Sequence, residues 1–307
     1  MMDEEMSTYD CAVIGAGPAG LTAALYLARY HRTAIVFDGG PSRATWIPES
    51  HNCPGFPGGI SGKELLRRLR AQLADYDAVV RESRVVELET EAHSFRLRAS
   101  DGTGVIARKV LIATGIVDVL PDETWIEEAI TAGAMRLCTI CDGYEVTDAR
   151  IAVYGPRDSA LDHALFLRTY SDGVSLVCSD DGPVSAVQAK RAREAGVRIL
   201  FGVRRLSFDG RRCTFIIADG KTETFDAVYP FLGCHTQSDL AVALGAECDE
   251  VGALLVGSDQ MSSIEGVYVA GDVVSAVNQI SVAVGHSGVA ATAIHRALPP
   301  NFRRSAR

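Results

Sequence analysis

Between residues 10 and 38 the chain reads strand, glycine turn, helix, strand, acid, and that order fixes how the fold opens. Asp10–Ile14 is a short apolar run, and Gly15-Ala16-Gly17-Pro18-Ala19-Gly20 follows at once. Leu21–Tyr30 then carries Ala and Leu on a helical period, and Thr33–Phe37 is a second apolar run ending at Asp38. The three glycines of the hexad permit, in turn, a tight turn, close approach of backbone to a pyrophosphate, and close packing of helix on strand. The N-terminus of that helix offers unpaired N–H groups and a positive dipole end to a diphosphate. Asp38 can accept hydrogen bonds from ribose hydroxyls. A dinucleotide site is expected, with Gly15, Gly17, Pro18, Ala19, Gly20, Asp38 and Gly39 as its residues.

Two distant segments point to FAD rather than NAD at this first site. Val110-Leu111-Ile112 is an apolar strand closing on the small turn Ala113-Thr114-Gly115, and Gly266–Ala270 is another, closing on Gly271 and Asp272. The Asp272 carboxylate can bond the ribityl chain of a flavin. Asn278, Gln279 and Ile280 lead into a small-residue helix read as Gly285–Leu298, and a helix N-terminus near Gly285 would stabilise negative charge on a reduced flavin.

The remaining composition excludes more than it assigns. A formal charge of -9 without clustered Lys and Arg argues against nucleic acid as a partner. No apolar run reaches membrane-spanning length. The acidic start MMDEEMSTYD lacks the marks of a signal peptide, so a cytoplasmic protein is expected. Of the eight cysteines, Cys11, Cys53, Cys178, Cys213, Cys234 and Cys248 stand alone and read as small buried hydrophobes. Cys138-Thr139-Ile140-Cys141 is a motif. With no second pair of Cys or His at ligand spacing it reads as a redox pair, and no metal is expected.

From about Tyr9 to about His295 the chain resembles the low-molecular-weight thioredoxin reductase family. The residues that carry the resemblance are Gly15–Gly20, Pro54-Gly55-Phe56-Pro57, Ala113-Thr114-Gly115, Cys138-Thr139-Ile140-Cys141-Asp142-Gly143 and Gly271-Asp272-Val273. The resemblance implies an α/β fold of two Rossmann-like domains, the second inserted into the first. Residues 1–117 and 238–307 would bind FAD, and residues 118–237 would form a second nucleotide-type domain carrying the cysteines. It also implies a homodimer and a thioredoxin-like protein, or a small dithiol or disulfide, as substrate. Two intervening residues let the sulfurs close a small, reducible ring. By resemblance Cys141 is the flavin-side sulfur, Cys138 the exchange sulfur and Asp142 the proton carrier, against a plain reading of Asp142-Gly143 as a turn. His286 could approach the flavin or the cysteines and Trp46 could stack on a flavin, but the plainer readings are a surface or cap histidine at a helix start and a tryptophan packed in a loop. The loop and helix from Asn52 to Arg70 read as a dimer or flavin-contact element, and Ile116–Pro121 and Gly233–Ser238 as hinges.

The middle domain departs from the family's NADPH-using members. It opens Ile151-Ala152-Val153-Tyr154-Gly155-Pro156-Arg157, with Arg157 where those members have glycine. That side chain would obstruct the backbone approach to a pyrophosphate, or else reach a phosphate as a cation. After the strand Val174–Cys178 come Ser179-Asp180-Asp181 in place of arginines, and two carboxylates repel a 2′-phosphate. NADPH is therefore not expected, while NADH on Asp180, a second flavin, or ferredoxin as donor all stay open. Tyr144-Glu145 departs from the usual aromatic pair. The resemblance is to pyridine-nucleotide-independent members: ferredoxin- or diflavin-linked disulfide oxidoreductases and dithiol oxidases. The function expected is FAD-dependent thiol–disulfide exchange, with a dithiol oxidase using oxygen and a non-catalytic flavin-binding redox sensor as alternatives.

Overall fold

The apolar run at Asp10–Ile14 becomes the central strand of a parallel sheet in a computed structural model, which describes residues 6–218, 220–274 and 277–303. In chain order the first elements are β1 (Ser7–Ile14), α1 (Pro18–Arg29), β2 (Ala34–Phe37), α2 (Gly62–Leu73) and β3 (Val79–Arg81). Then come β4 (Val85–Glu91), β5 (Ser94–Ala99), β6 (Gly104–Ile112) and β7 (Ile116–Asp118). The middle of the chain gives α3 (Ile126–Thr131), α4 (Thr139–Asp142), β8 (Ile151–Gly155), α5 (Arg157–Leu167), β9 (Val174–Cys178), α6 (Ala186–Glu194) and β10 (Arg198–Leu200). It continues with β11 (Val203–Phe208), β12 (Cys213–Ile217), β13 (Thr222–Phe225), β14 (Ala227–Pro230) and β15 (Cys234–Thr236). The last elements are α7 (Asp239–Ala243), β16 (Val267–Val269) and α8 (Ile280–Ala297).

These elements form two compact α/β units, one of residues 1–47, 60–117 and 235–307, the other of Pro48–Gly59 and Asp118–Cys234. In the first, the sheet runs β3-β2-β1-β6-β5-β4, and β16 pairs with the last three residues of β6. β1, β2, β3, β6 and β16 are parallel, while β4 and β5 are antiparallel additions. Cys11, Ala12, Val13 and Ile14 are all buried, as a strand covered on both faces requires. Helix α1 packs on α8 through small side chains: Ala19, Ala23 and Ala24 meet Ala283, Ala290 and Ala291. The absence of bulk lets the helix axes approach, and Ser287 Oγ ties them by donating to the Ala19 carbonyl at 2.8 Å. On α2, Leu65, Leu66 and Leu73 are buried, and Ser61 caps the helix by accepting from the Glu64 amide at 3.2 Å.

The second unit has a parallel sheet β10-β9-β8-β14 and an antiparallel sheet β11-β12-β13. Leu161, Ala164 and Leu167 of α5 pack on Val153 and Leu176 of that parallel sheet. The stretches by which the chain leaves and re-enters the first unit, β7 and β15, pair as a two-stranded sheet.

Three expectations need correction here. The last helix begins at Ile280 rather than near Gly285. β-Branched residues such as Ile280, Val282 and Val284 cost only a few tenths of a kcal/mol each in a helix, and packing of Ala283 and Ser287 against α1 offsets that. Cys234 and Cys248 are exposed rather than buried. Cys234 lies in a sheet of two strands, and Cys248 in a lone bridge to Leu254, neither of which can bury both faces. Cys11, Cys53, Cys178 and Cys213 are buried as expected. His286 lies on the second turn of α8, not at its start, and is half-buried.

Candidate functional site: a glycine cradle, a cysteine pair and a filled phosphate turn

In the first unit the expected cofactor residues converge at one sheet edge for a simple reason. The strands β2, β1, β6 and β16 are parallel and in register at their C-terminal ends, where Phe37 pairs with Ile14, Ile14 with Ile112, and Ile112 with Val269. The residues that follow, Asp38, Gly15, Ala113 and Gly271, are therefore neighbours although up to 256 positions separate them in the chain (271 − 15). Ligands of such sheets bind beyond the carboxyl ends of the strands.

The glycines fit the roles expected of them. A Cβ on Gly20 would lie 1.8 Å from the Gly15 carbonyl oxygen, and one on Gly15 2.2 Å from that of Ala113. Gly15 also has φ +114°, which a side chain disfavours. Gly17 is the N-cap of α1 and Pro18 opens the helix. Gly271, at φ +84°, packs where its Cβ would come 2.9 Å from that of Ala19. Thr114 Oγ1 donates to the Gln237 carbonyl, and the Gly115 carbonyl accepts from the Gln237 amide at 3.0 Å. Gln279 caps α8, with Asn278 before it and Ile280 as its first residue.

Two acids in this unit have basic partners that sequence reasoning missed. Asp38 accepts from Arg70 Nη2 at 2.7 Å and from the Gly40 amide at 3.3 Å, beside a cleft of about 240 Å³ lined by Asp38, Pro41, Ser42, Thr45, Leu66 and Arg70. Asp272 meets Arg43 Nη1 at 3.4 Å. Arg84 donates to the Gly39 carbonyl at 3.3 Å. The His286 Nδ1 is buried without a partner among the described residues, and burial lowers the imidazole pKa while the Asp272 charge opposes that shift. His286 therefore joins the cradle's polar groups. Trp46 ends a short 3-10 turn and is partly exposed. A turn whose Gly15 and Gly20 admit no Cβ, a cleft beside the acid and an unmet imidazole nitrogen together fit a dinucleotide with a polar ring system.

In the second unit Cys138 and Cys141 are joined as a disulfide, their Cα atoms 5.3 Å apart. Cys138 is the N-cap of α4, and its sulfur accepts from the Cys141 amide at 3.1 Å. Ile140, between them, is half exposed, and its carbonyl accepts from Asn52 Nδ2 at 3.5 Å. Asp142 is the last residue of α4 and is mostly buried. Burial raises its carboxyl above the usual carboxylate range, while Arg136 and Tyr229 pull the other way.

The turn after β8 is filled from within. The Arg157 amide, first of α5, donates to Asp180 Oδ1 at 3.2 Å, and the guanidinium pairs with Oδ2 of the same carboxylate. The Arg157 side chain is only 19% exposed, and its Nε is buried without a partner among the described residues. Arg157 and Asp180, foreseen as a phosphate contact and a ribose contact, thus pair with each other. Beneath them, burial and the Asp180 charge push the Cys178 thiol up to about 11.

Comparison with known proteins gives a consistent picture. The model of the pyridine nucleotide-disulphide oxidoreductase family matches residues 9–287. The chain is 31% identical over 308 residues to the thioredoxin reductase of Mycolicibacterium smegmatis, covering 95% of this chain and 96% of that protein. The crystal structure of HlmI superposes with a TM-score of 0.87 at 28% identity, covering 96% of this chain and 93% of the other. Thioredoxin reductase from Streptococcus pyogenes superposes at 0.85 with 25% identity, covering 94% and 98%. No helix among the described residues is long and apolar enough to cross a membrane.

Proposed function

The chain belongs to the pyridine nucleotide-disulphide oxidoreductase family, as a thioredoxin-reductase-like FAD enzyme, and we propose that it runs without NADPH. The Cys138–Cys141 pair exchanges with a thioredoxin-like protein or small disulfide. FAD, when bound, supplies the two-electron carrier. Gly15 makes the tight turn, Gly20 lets α1 pack against it, and Gly17 leaves the approach open to a pyrophosphate, which the N–H groups at the start of α1 would bind while Asp38 would take the ribose. Asp272 and the Gln279 end of α8 would hold the flavin half. Cys138 exchanges with the substrate, Cys141 serves the flavin, and Asp142 carries the proton. We further propose that the functional protein is a homodimer.

The observation that carries NADPH independence is the Arg157–Asp180 pair. A pyrophosphate at the second glycine turn would need the α5 amide that already donates to Asp180, and a 2′-phosphate would meet the charges of Asp180 and Asp181. Displacing the carboxylate would also strand the mostly buried guanidinium of Arg157.

Anaerobic loss of oxidised-flavin absorbance tests this directly. The holoprotein is mixed in turn with NADPH, NADH, dithiothreitol and reduced ferredoxin. Bleaching by dithiothreitol or ferredoxin, with NADPH inert, is the expected result. Rapid bleaching by NADPH would overturn the reading.

A further inference from the structure

Arg136 and Tyr229 are assigned no part in the scheme above, yet both converge on one carboxylate. Arg136 Nη1 donates to Asp142 Oδ2 at 3.0 Å, and the Tyr229 hydroxyl donates to Oδ1 at 2.8 Å and to the Asp142 carbonyl at 3.3 Å. The convergence is built by the backbone. Met135 bridges in parallel to Val228 of β14, the Arg136 amide donates to the Val228 carbonyl at 2.9 Å, and the Val228 amide donates to the Ala134 carbonyl at 2.8 Å. This pairing sets Arg136 beside Tyr229, the next residue of β14, although 93 positions separate them (229 − 136). Arg136 is further fixed by Nε, which donates to the Gly133 carbonyl at 3.0 Å. Tyr229 is 2% exposed, so its hydroxyl has no bulk water to turn to.

We propose that Arg136 and Tyr229 are positioning residues that clamp the two oxygens of Asp142 so that it serves as proton carrier to the Cys138–Cys141 pair. The proposal rests on reading that pair as the redox centre and Asp142 as its carrier. A buried carboxyl with a single hydrogen bond could swing between rotamers; one gripped at both oxygens from a strand and from the segment before the cysteines cannot.

The clamp also sets how readily the carboxyl gives up its proton. Burial is the largest influence on Asp142 and favours the neutral acid, and the Glu145 charge adds to it. The Arg136 cation and the Tyr229 hydroxyl favour the carboxylate. The disulfide itself carries no charge. The outcome is a carboxyl raised above the ordinary range, held from rising further by its two partners.

In exchange with a dithiol, the substrate thiolate bonds to Cys138 Sγ while the Cys138–Cys141 bond breaks. The electron pair leaves on Cys141 Sγ, which takes the proton from Asp142. The second substrate thiol returns a proton to Asp142 and bonds to its own first sulfur, releasing Cys138 as thiolate. The substrate is oxidised to a disulfide and the pair is reduced to one thiol and one thiolate. Run in reverse, the same steps reduce a disulfide.

The test compares Tyr229→Phe, Arg136→Gln, Arg136→Lys and Asp142→Asn in the FAD-loaded protein. The dithiothreitol-driven rate is measured against pH, together with ultraviolet thiolate absorbance of the reduced pair against pH. Tyr229→Phe and Arg136→Gln should slow exchange about tenfold near neutral pH and move the carboxyl-dependent limb to higher pH. Arg136→Lys should return the limb toward wild type. FAD content and far-ultraviolet circular dichroism should not change, and Tyr229→Phe, which removes one hydroxyl, keeps the test alive if Arg136→Gln fails to fold. If Asp142→Asn abolishes the limb while Tyr229→Phe and Arg136→Gln leave it in place, the clamp is refuted and the carrier stands. If Asp142→Asn leaves the limb in place, carrier and clamp fall together.

Discussion

The Arg157 guanidinium stands where a side chain on Gly182 would begin: a Cβ there would lie 2.3 Å from its carbon and both terminal nitrogens. The guanidinium is thus seated against a residue without a side chain while it grips Asp180 from the other direction. Gly182→Ala would evict it. The end of an arginine moves easily, so the cost is the lost ion pair rather than a backbone clash, about 1 kcal/mol. A lower urea midpoint at unchanged m-value would show it. FAD content should stay at the wild-type level, since the first unit is untouched.

Asp180→Ala removes the same pair from the other side and leaves a mostly buried cation unpaired. A loss of about 1–3 kcal/mol is expected, larger than for Gly182→Ala, in which both charges can still reach water. The order of the two urea midpoints checks the argument. An Asp180→Ala protein as stable as wild type would mean that Arg157 and Asp180 do not hold each other in solution.

The glycines of the first turn should fail in different ways. Gly20→Ala puts a Cβ 1.8 Å from the Gly15 carbonyl oxygen, a backbone atom that cannot step aside, and should cost several kcal/mol or prevent folding. Gly17 has an ordinary backbone (φ −76°), and a Cβ there meets only the Ser42 hydroxyl at 3.1 Å. Gly17→Val should therefore fold but purify colourless, because its side chain fills the approach of the diphosphate. A yellow, fully loaded Gly17→Val protein would contradict the binding assignment.

Cys141→Ser should keep FAD, since the cysteine lies outside the cradle's residues, and lose two-electron exchange with any disulfide. Absorbance of the bound flavin and stopped-flow reduction of a model disulfide give both readings. Retained reduction at more than a few per cent of wild type would place the flavin-side sulfur elsewhere.

What could be read ahead of the structure was what repeats locally. The hexad at Gly15 announces itself because three glycines, a strand and a helix lie within about twenty residues. The strand β9 appears at Val174–Cys178 as expected, since a buried parallel strand is a continuous apolar run. The start of α8 was misplaced because only its small-residue stretch from Gly285 stands out locally, whereas the first turn is held by contact with α1, a distant segment. Arg70 on Asp38, Arg43 on Asp272, and Arg136 with Tyr229 on Asp142 were invisible for the same reason: each acid meets a base or hydroxyl delivered by another element or loop of the chain. Arginines are frequent in this chain, and nothing in one linear sequence marks which of them will point inward. Obstruction of the second turn by Arg157 could be foreseen, but not that its counter-charge would be Asp180, on the neighbouring strand's exit.

β16 and α8 come from residues 267–297, whereas β1 and α1 come from the first 29. A ribosome making this protein therefore releases the two parts of the flavin cradle more than two hundred residues apart. Strand β6 waits with the second half of one edge bare until Val267–Val269 emerge, while the stretch from Asp118 to Cys234 is finished some thirty residues earlier. Domains of a growing chain fold as units, so the disulfide-bearing portion can mature while the cradle is still open, and the cradle closes only once Ile280–Ala297 has emerged.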